Sequence, residues 1–266
     1  MNKIPCNLIV YSSTKGHFGQ PTLLETISSL NSQFPIDNFA SAFIHIKIST
    51  GQDNVVTELE EKLHSLYHIN VIKSYGDWRH GNDGKDNSHQ IGYLNDMFKI
   101  YNMPEINNNN YSLIIEDDWL IKVYKNDFEY YINKAIKLLT TEENIVQIRI
   151  ARFSDEKNRI LRLKEKHNID GIALETKDKE MILGNDWSNN CYIARTRDLR
   201  MALLLITKNQ SAFPMHSEHG LGMAMAYQSW VKTPFMFFNP EFIRVGHIGV
   251  ESPSDRDNLD QPLIST

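Results

Sequence analysis

The chain's 266 residues, 41% of them hydrophobic, suffice for one large α/β domain or two small ones with a substantial core. Its formal net charge of −5 argues against the concentrated positive field that a nucleic-acid surface or a polybasic membrane surface requires, a local basic site being left open. Cys6 and Cys191 lie far apart without CxxC spacing, which excludes a zinc knuckle and a disulfide-dense scaffold and leaves two small, reduced core residues.

Met1 to Val10 holds only a short apolar run behind Lys3 and Pro5, too short for a signal sequence or a membrane span. The longest later apolar candidate, Met201 to Ile206, is a helix fragment. The expectation is a soluble, cytoplasmic protein with no transmembrane segment, peripheral membrane contact being left open.

Asn7 to Ser12 reads as a strand, Ser12 to Pro21 as a loop, and Thr22 to Leu30 as a helix with Leu23, Leu24, Ile27 and Leu30 on one face. Ser41 to Ile48 is a second strand; it alternates around His45 and Lys47, which predicts a partly exposed His45. The turn Ser49-Thr-Gly-Gln-Asp53 leads into a helix over Val55 to Tyr67. A third strand, Ile69 to Ser74, precedes a polar, glycine-rich loop over 75–87 and a helix over His89 to Tyr101. Asn107 to Asn110 reads as a loop with no chemistry attached.

In Tyr111-Ser-Leu-Ile-Ile-Glu-Asp-Asp-Trp-Leu-Ile-Lys122 an apolar run stops at three consecutive acids, as a buried strand would that delivers Glu116, Asp117 and Asp118 to a sheet edge. Carboxylates this close repel one another unless they are solvated, protonated or neutralised, and Mg²⁺ or Mn²⁺ favours such oxygen ligands. A solvated turn explains an acid triplet equally well on its own. With the helix over Phe128 to Leu139 that follows, β and α alternate four times, which predicts a mostly parallel sheet covered on both faces. Ligands gather at the carboxyl ends of such strands, so the loops after the first three strands and the acids after the fourth should share one crevice.

The second half is less regular. Ile145 to Ala151 reads as a strand, and the charged run Asp155 to Lys166 as a solvated face. Met181 to Ala194 reads as a pair of short strands around a Gly/Asn turn, followed by helices over Arg197 to Thr207 and Ser217 to Ala226. Phe235 to Phe238 and Phe242 to Val245 are short late strands, after which Gly246-His-Ile-Gly249 opens a polar tail.

In order and setting, these features resemble the nucleotide-sugar-dependent glycosyltransferases of the GT-A fold, family-2-type enzymes among them, over essentially the whole chain. The Ser49 to Asp53 turn resembles the loop that meets the nucleotide base, Glu116-Asp-Asp118 the DxD metal motif, Ser217-Glu-His219 the xED motif, and His247 the late metal-binding histidine. Gly184-Asn-Asp-Trp-Ser-Asn-Asn190 is similar to the acceptor-side loop.

The resemblance implies a single domain over 1–266, with 1–125 as the nucleotide-sugar-binding half and 126–266 as the acceptor half and tail. It implies Glu116, Asp118 and His247 as ligands of Mn²⁺ or Mg²⁺, and Asp117 with Ser12, Ser13, Thr14, Asp53 and Arg79 as donor contacts. Gly184, Asp186 and Trp187 would meet the acceptor. Glu218 or His219 would be the base; the family often carries Asp where His219 stands, so this chain departs from the pattern. The implied donor is a nucleoside diphosphate sugar, UDP-linked by preference, and the acceptor a hydroxyl of a glycan, a lipid-linked sugar or a protein.

The chemistry agrees independently, because a cation held by carboxylates stabilises the charge on a leaving diphosphate, and inversion needs a base for the acceptor hydroxyl. Structural readings stand beside these: Ser217 capping a helix whose positive end favours Glu218, Trp187 anchoring a core, Arg79 on the surface, His247 hydrogen-bonded in a loop. A nucleotidyltransferase would need a glycine-rich basic loop, which Ser12 to Gly19 approximates only weakly, and a metal hydrolase lacks HExxH. A non-catalytic nucleotide- or carbohydrate-binding module of the same fold is the remaining alternative.

Overall fold

The structure, a computed structural model, describes residues 3–14, 22–48, 51, 53–75, 88–150, 180–184, 191–209, 220–225, 235–238 and 242–247. Strand β1 (Ile4–Ser13) is the axis of the sheet and is buried along nearly its whole length. It pairs in parallel with β2 (Phe39–Ile48) on one side and with β4 (Tyr111–Glu116) on the other, while β3 (Asn70–Tyr75) extends the sheet beyond β2. Helices α1 (Leu23–Gln33), α2 (Asp53–Tyr67) and α3 (Ser88–Tyr101) make the crossovers that parallel strands require.

Pleating sends alternate residues of β1 to opposite faces. Leu8 and Val10 pack with Leu23 and Ile27 of α1 and Leu63 of α2, whereas Ile9 and Tyr11 pack with Leu94 and Met97 of α3. A strand with a core on each face has no polar side, which is why its sequence reads as a near-continuous apolar run. After α3 come a single helical turn, α4 (Pro104–Asn107), then β4, β5 (Trp119–Val123) and α5 (Phe128–Thr141). Phe128, Tyr131, Ile132, Ala135 and Leu139 of α5 are buried at helical spacing. Asp127 caps this helix, its Oδ1 accepting from the Tyr130 N–H at 2.7 Å. Asp127→Ala is expected to cost about 1 kcal/mol, read as a small drop in thermal midpoint with no change of fold.

The rest of the chain supplies β6 (Gln147–Arg149), β7 (Met181–Gly184), β8 (Tyr192–Arg195), α6 (Thr196–Lys208), β9 (Phe235–Phe238) and β10 (Ile243–His247), with a helical stretch over 220–225. The main sheet has eight strands in the order β3-β2-β1-β4-β8-β6-β9-β7. Its strands run mostly parallel; β8 is antiparallel to β4 and β6, and β7 to β9.

Strand β4 ends at the acid triplet as its sequence predicts; the chain turns at Asp117 and Asp118, and β5 then leaves the main sheet to pair with β10 in a two-stranded ribbon. Two local expectations are corrected. The two short strands between Met181 and Ala194 do not pair with each other, because β7 finds β9 while β8 inserts between β4 and β6. His45 is buried, at 1% exposure, because α3 covers that face of β2 and supplies Asp96 to the same polar cluster. The charged run Asp155 to Lys166 lies outside the described residues. Cys6 and Cys191 are free and buried in the core.

Candidate active site at the carboxyl edge of the sheet

The chain lays down β1, β2 and β3 outward in one direction and then returns to place β4 on the other side of β1. That reversal opens a crevice between the carboxyl ends of β1 and β4, where open α/β sheets bind ligands. The acid triplet occupies this point. Glu116 is in register with Tyr11, and the Asp117 N–H donates to the Tyr11 carbonyl at 2.9 Å. Ser12 Oγ donates to Asp117 Oδ2 at 2.6 Å, and Thr26 Oγ1 of α1 donates to the Asp117 carbonyl at 2.6 Å. Strand and helix thus clamp the turn from both sides.

The three acids sit at different depths. Glu116 is half-buried and accepts from Trp119 Nε1 at 3.5 Å; Asp117 is 7% exposed and Asp118 fully buried. Directly after them, Trp119 of β5 is the register partner of His247 on β10. The backbone therefore brings His247 beside the acid triplet across more than a hundred residues of sequence, although the His247 side chain lies outside the described residues.

The other candidates fall in several places. Ser13 and Thr14 share the crevice edge, where the Thr14 N–H donates to the Lys47 carbonyl at 2.9 Å and ties the ends of β1 and β2 together. Asp53 begins α2 after β2, its side chain not described. Gly184 ends β7 opposite Phe235, the first residue of β9; since β9 runs parallel to β6 and β4, Gly184 lies at the edge away from the acids. Arg79, Asp186, Trp187, Glu218 and His219 lie outside the described residues.

Sequence reading missed the polar network beneath this edge. Lys47 Nζ and Ser74 Oγ donate to Asp96 Oδ2 of α3 at 2.8 and 3.0 Å, and His45 Nε2 meets Ser74 Oγ at 2.9 Å. Burial works against the charge on Asp96, but the Lys47 hydrogen bond and the neighbouring positive groups together hold its carboxyl below the usual range. Burial lowers the His45 pKa to about 4, outweighing the pull of the Asp96 carboxylate. An unfolded histidine titrates near 6.5, so between those values the unfolded chain takes up a proton that the folded one refuses, and acidification favours unfolding. The thermal midpoint is expected to fall between pH 6.5 and pH 4, with a shallower fall in His45→Gln; an equal fall in both would assign the effect to other groups.

Hard carboxylate oxygens are donors suited to Mn²⁺ or Mg²⁺. Among the described residues no three His, Cys, Asp or Glu side chains already converge as a metal cage. The acids still fit a cation that also takes ligands from a bound diphosphate, since Mg²⁺-type sites use only one or two carboxylates.

No protein-family model matches the chain, and no curated protein matches it in sequence. Solved structures do match in shape. GalNAc-T7 with UDP, GalNAc and Mn²⁺ aligns with a TM-score of 0.51 at 10% identity, over 92% of this chain and 44% of that one. Mannosyltransferase PcManGT from Pyrobaculum calidifontis, in complex with GDP-Man and Mn²⁺, aligns at 0.46 and 11% identity over 86% of this chain and 53% of its own, so the present chain spans about half the length of that enzyme. Mouse xyloside xylosyltransferase 1, in its apo form, aligns at 0.44 and 12% identity over 86% and 83% of the two chains. With the strand order and the crevice above, the alignment to GalNAc-T7 identifies the fold of this chain as GT-A, the fold of nucleotide-sugar-dependent glycosyltransferases.

Proposed function

We propose that the chain is a metal-dependent glycosyltransferase that moves a sugar from a nucleoside diphosphate donor, UDP-linked by preference, to a hydroxyl of a glycan, lipid-linked sugar or protein, with inversion. The observation that carries the reading is the placement of Glu116, Asp117 and Asp118 at the crevice beside β1, with His247 drawn alongside through β10. The solved structure of the same fold that holds UDP, GalNAc and Mn²⁺ supports the class.

In this reading Asp118, Glu116 and His247 hold a divalent cation, which supplies charge stabilisation at the leaving diphosphate. Asp117 and Ser12, hydrogen-bonded to each other, meet the donor from the turn that Thr26 fixes through the Asp117 carbonyl. Ser13 and Thr14, with Asp53 and Arg79 from the next two loops, contact the nucleotide and its phosphates. Glu218 or His219 takes the proton of the acceptor hydroxyl as its oxygen attacks the anomeric carbon and the bond to the diphosphate breaks. Residues 1–125 form the donor half and 126–266 the acceptor half, where Asp186 and Trp187 meet the acceptor; Gly184 belongs to this group only through the residues that follow it.

The test is release of free nucleoside diphosphate from a panel of UDP-, GDP- and dTDP-sugars with Mn²⁺, with Mg²⁺ and with chelator. Slow hydrolysis of one donor, dependent on metal, is expected. If no donor is hydrolysed and none binds calorimetrically with metal present, the transferase reading fails.

A further inference from the structure

We infer that a groove at the opposite edge of the sheet is a second, non-catalytic site that binds a neutral oligosaccharide. The groove, of about 980 Å³, lies among the amino end of β4, the carboxyl ends of β8 and α5, and the start of α6. Tyr111 lines it and Glu116 stands at the other end of the same strand. At a rise of about 3.3 Å per residue the two ends are about 16 Å apart, so a sugar seated at the acids does not fill the groove. Its size is that of a ligand cavity.

Charge decides the ligand class. Arg195 is committed to structure: Nε donates to the Leu139 carbonyl at 2.8 Å, one terminal nitrogen to the Glu142 carbonyl at 2.8 Å, and the other to the Ile145 carbonyl at 2.9 Å and Asp198 at 3.1 Å. Arg197 Nε donates to the same Asp198 at 3.2 Å. Glu143 also stands on the wall, so among the described lining residues three cations, two of them sharing Asp198, are set against two carboxylates. A phosphorylated or sulfated chain would need several unspent cations in contact range.

Uncommitted amides are what the groove offers instead. Asn107, Asn110 and Asn144 are exposed on its wall, and their side chains make no hydrogen bond among the described residues. Asn109, in contrast, is spent on Asn7 and Ser41. Each free amide presents donors and an acceptor in one plane, a match for adjacent sugar hydroxyls. Met201, 39% exposed, with Leu139 beneath, provides the apolar surface on which the C–H face of a sugar packs. The asparagine tract thereby acquires a role that does not depend on the transferase reading.

The test probes an immobilised array of mannose, xylose, galactose, glucose and N-acetylhexosamine oligosaccharides, neutral and sulfated, with the full chain in chelator. Any glycan retained is then titrated calorimetrically. Asn110→Ala/Asn144→Ala removes two amides while keeping the Asn110 carbonyl that accepts from the Thr196 N–H, and Asn144→Trp blocks the groove independently. At least one neutral oligosaccharide is expected to bind, weakened about tenfold or more by the double variant and unchanged by Asp118→Asn. The inference is overturned if nothing binds, if binding survives the double variant, or if sulfated chains bind in preference to neutral ones. Donor hydrolysis is read separately, so either reading can fail without the other.

Discussion

Asp118→Asn is expected to lower metal-dependent donor hydrolysis by about 10²- to 10³-fold, the range typical when one preorganised stabiliser of developing charge is removed. Its thermal midpoint should stay close to that of the parent chain, because Asn has nearly the same shape in a fully buried position. Two features single out Asp118 within the triplet. It directly precedes Trp119, the register partner of His247, and its neighbour Asp117 already accepts a hydrogen bond from Ser12. Comparing Asp118→Asn with Asp117→Ala separates chemistry from scaffolding: the first should lose turnover, and the second should lose stability because the buried Ser12 hydroxyl loses its acceptor. If Asp118→Asn hydrolyses the donor as fast as the parent and with the same metal dependence, the triplet is a structural turn.

Asp96→Ala is expected to destabilise the chain by about 3–5 kcal/mol, the cost of breaking a buried ion pair and leaving the other charge behind. Lys47, 8% exposed, would lose its carboxylate, and Ser74 an acceptor. Replacing both partners with apolar residues of similar volume, as in Lys47→Met/Asp96→Leu, should recover much of that loss, because no buried charge is then stranded. Urea denaturation of the three proteins reads the difference as midpoint shifts at constant slope. A single variant as stable as the parent would mean that water reaches Lys47 readily.

Much of this architecture is local and therefore legible in the sequence. Leu23, Ile27 and Leu30 recur at helical spacing, and the apolar stretch through Leu8 and Val10 marks a strand covered on both faces. The acids after Ile115 announce themselves because an abrupt change from apolar to charged residues marks the end of a buried strand. What escaped depends on partners distant in the chain. Trp119 to Val123 continues the local pattern of β4, and nothing nearby reveals that its hydrogen bonds go to Ile243 through His247. β7 and β8 look like neighbours because few residues separate them, yet their ladders are completed by β9, β4 and β6. Lys47 and His45 alternate as solvent-facing residues would, and only the arrival of Asp96 from α3 makes their burial tolerable.

The β5–β10 ribbon has a consequence for how the molecule assembles. Joining Trp119 to His247 closes a loop of well over a hundred residues, an entropic cost that must be met before the contact contributes anything. Strands β1 to β4 are all synthesised before β10 and can pair without it, so the acids are expected to be in place while the histidine is still unattached. Under the proposed function, the nascent chain would then carry a well-formed sheet before the residues assigned to the cation had met. That proposed competence would arrive late, with the residues that close the ribbon, and a chain released before Ile243 would fold in large part yet lack it.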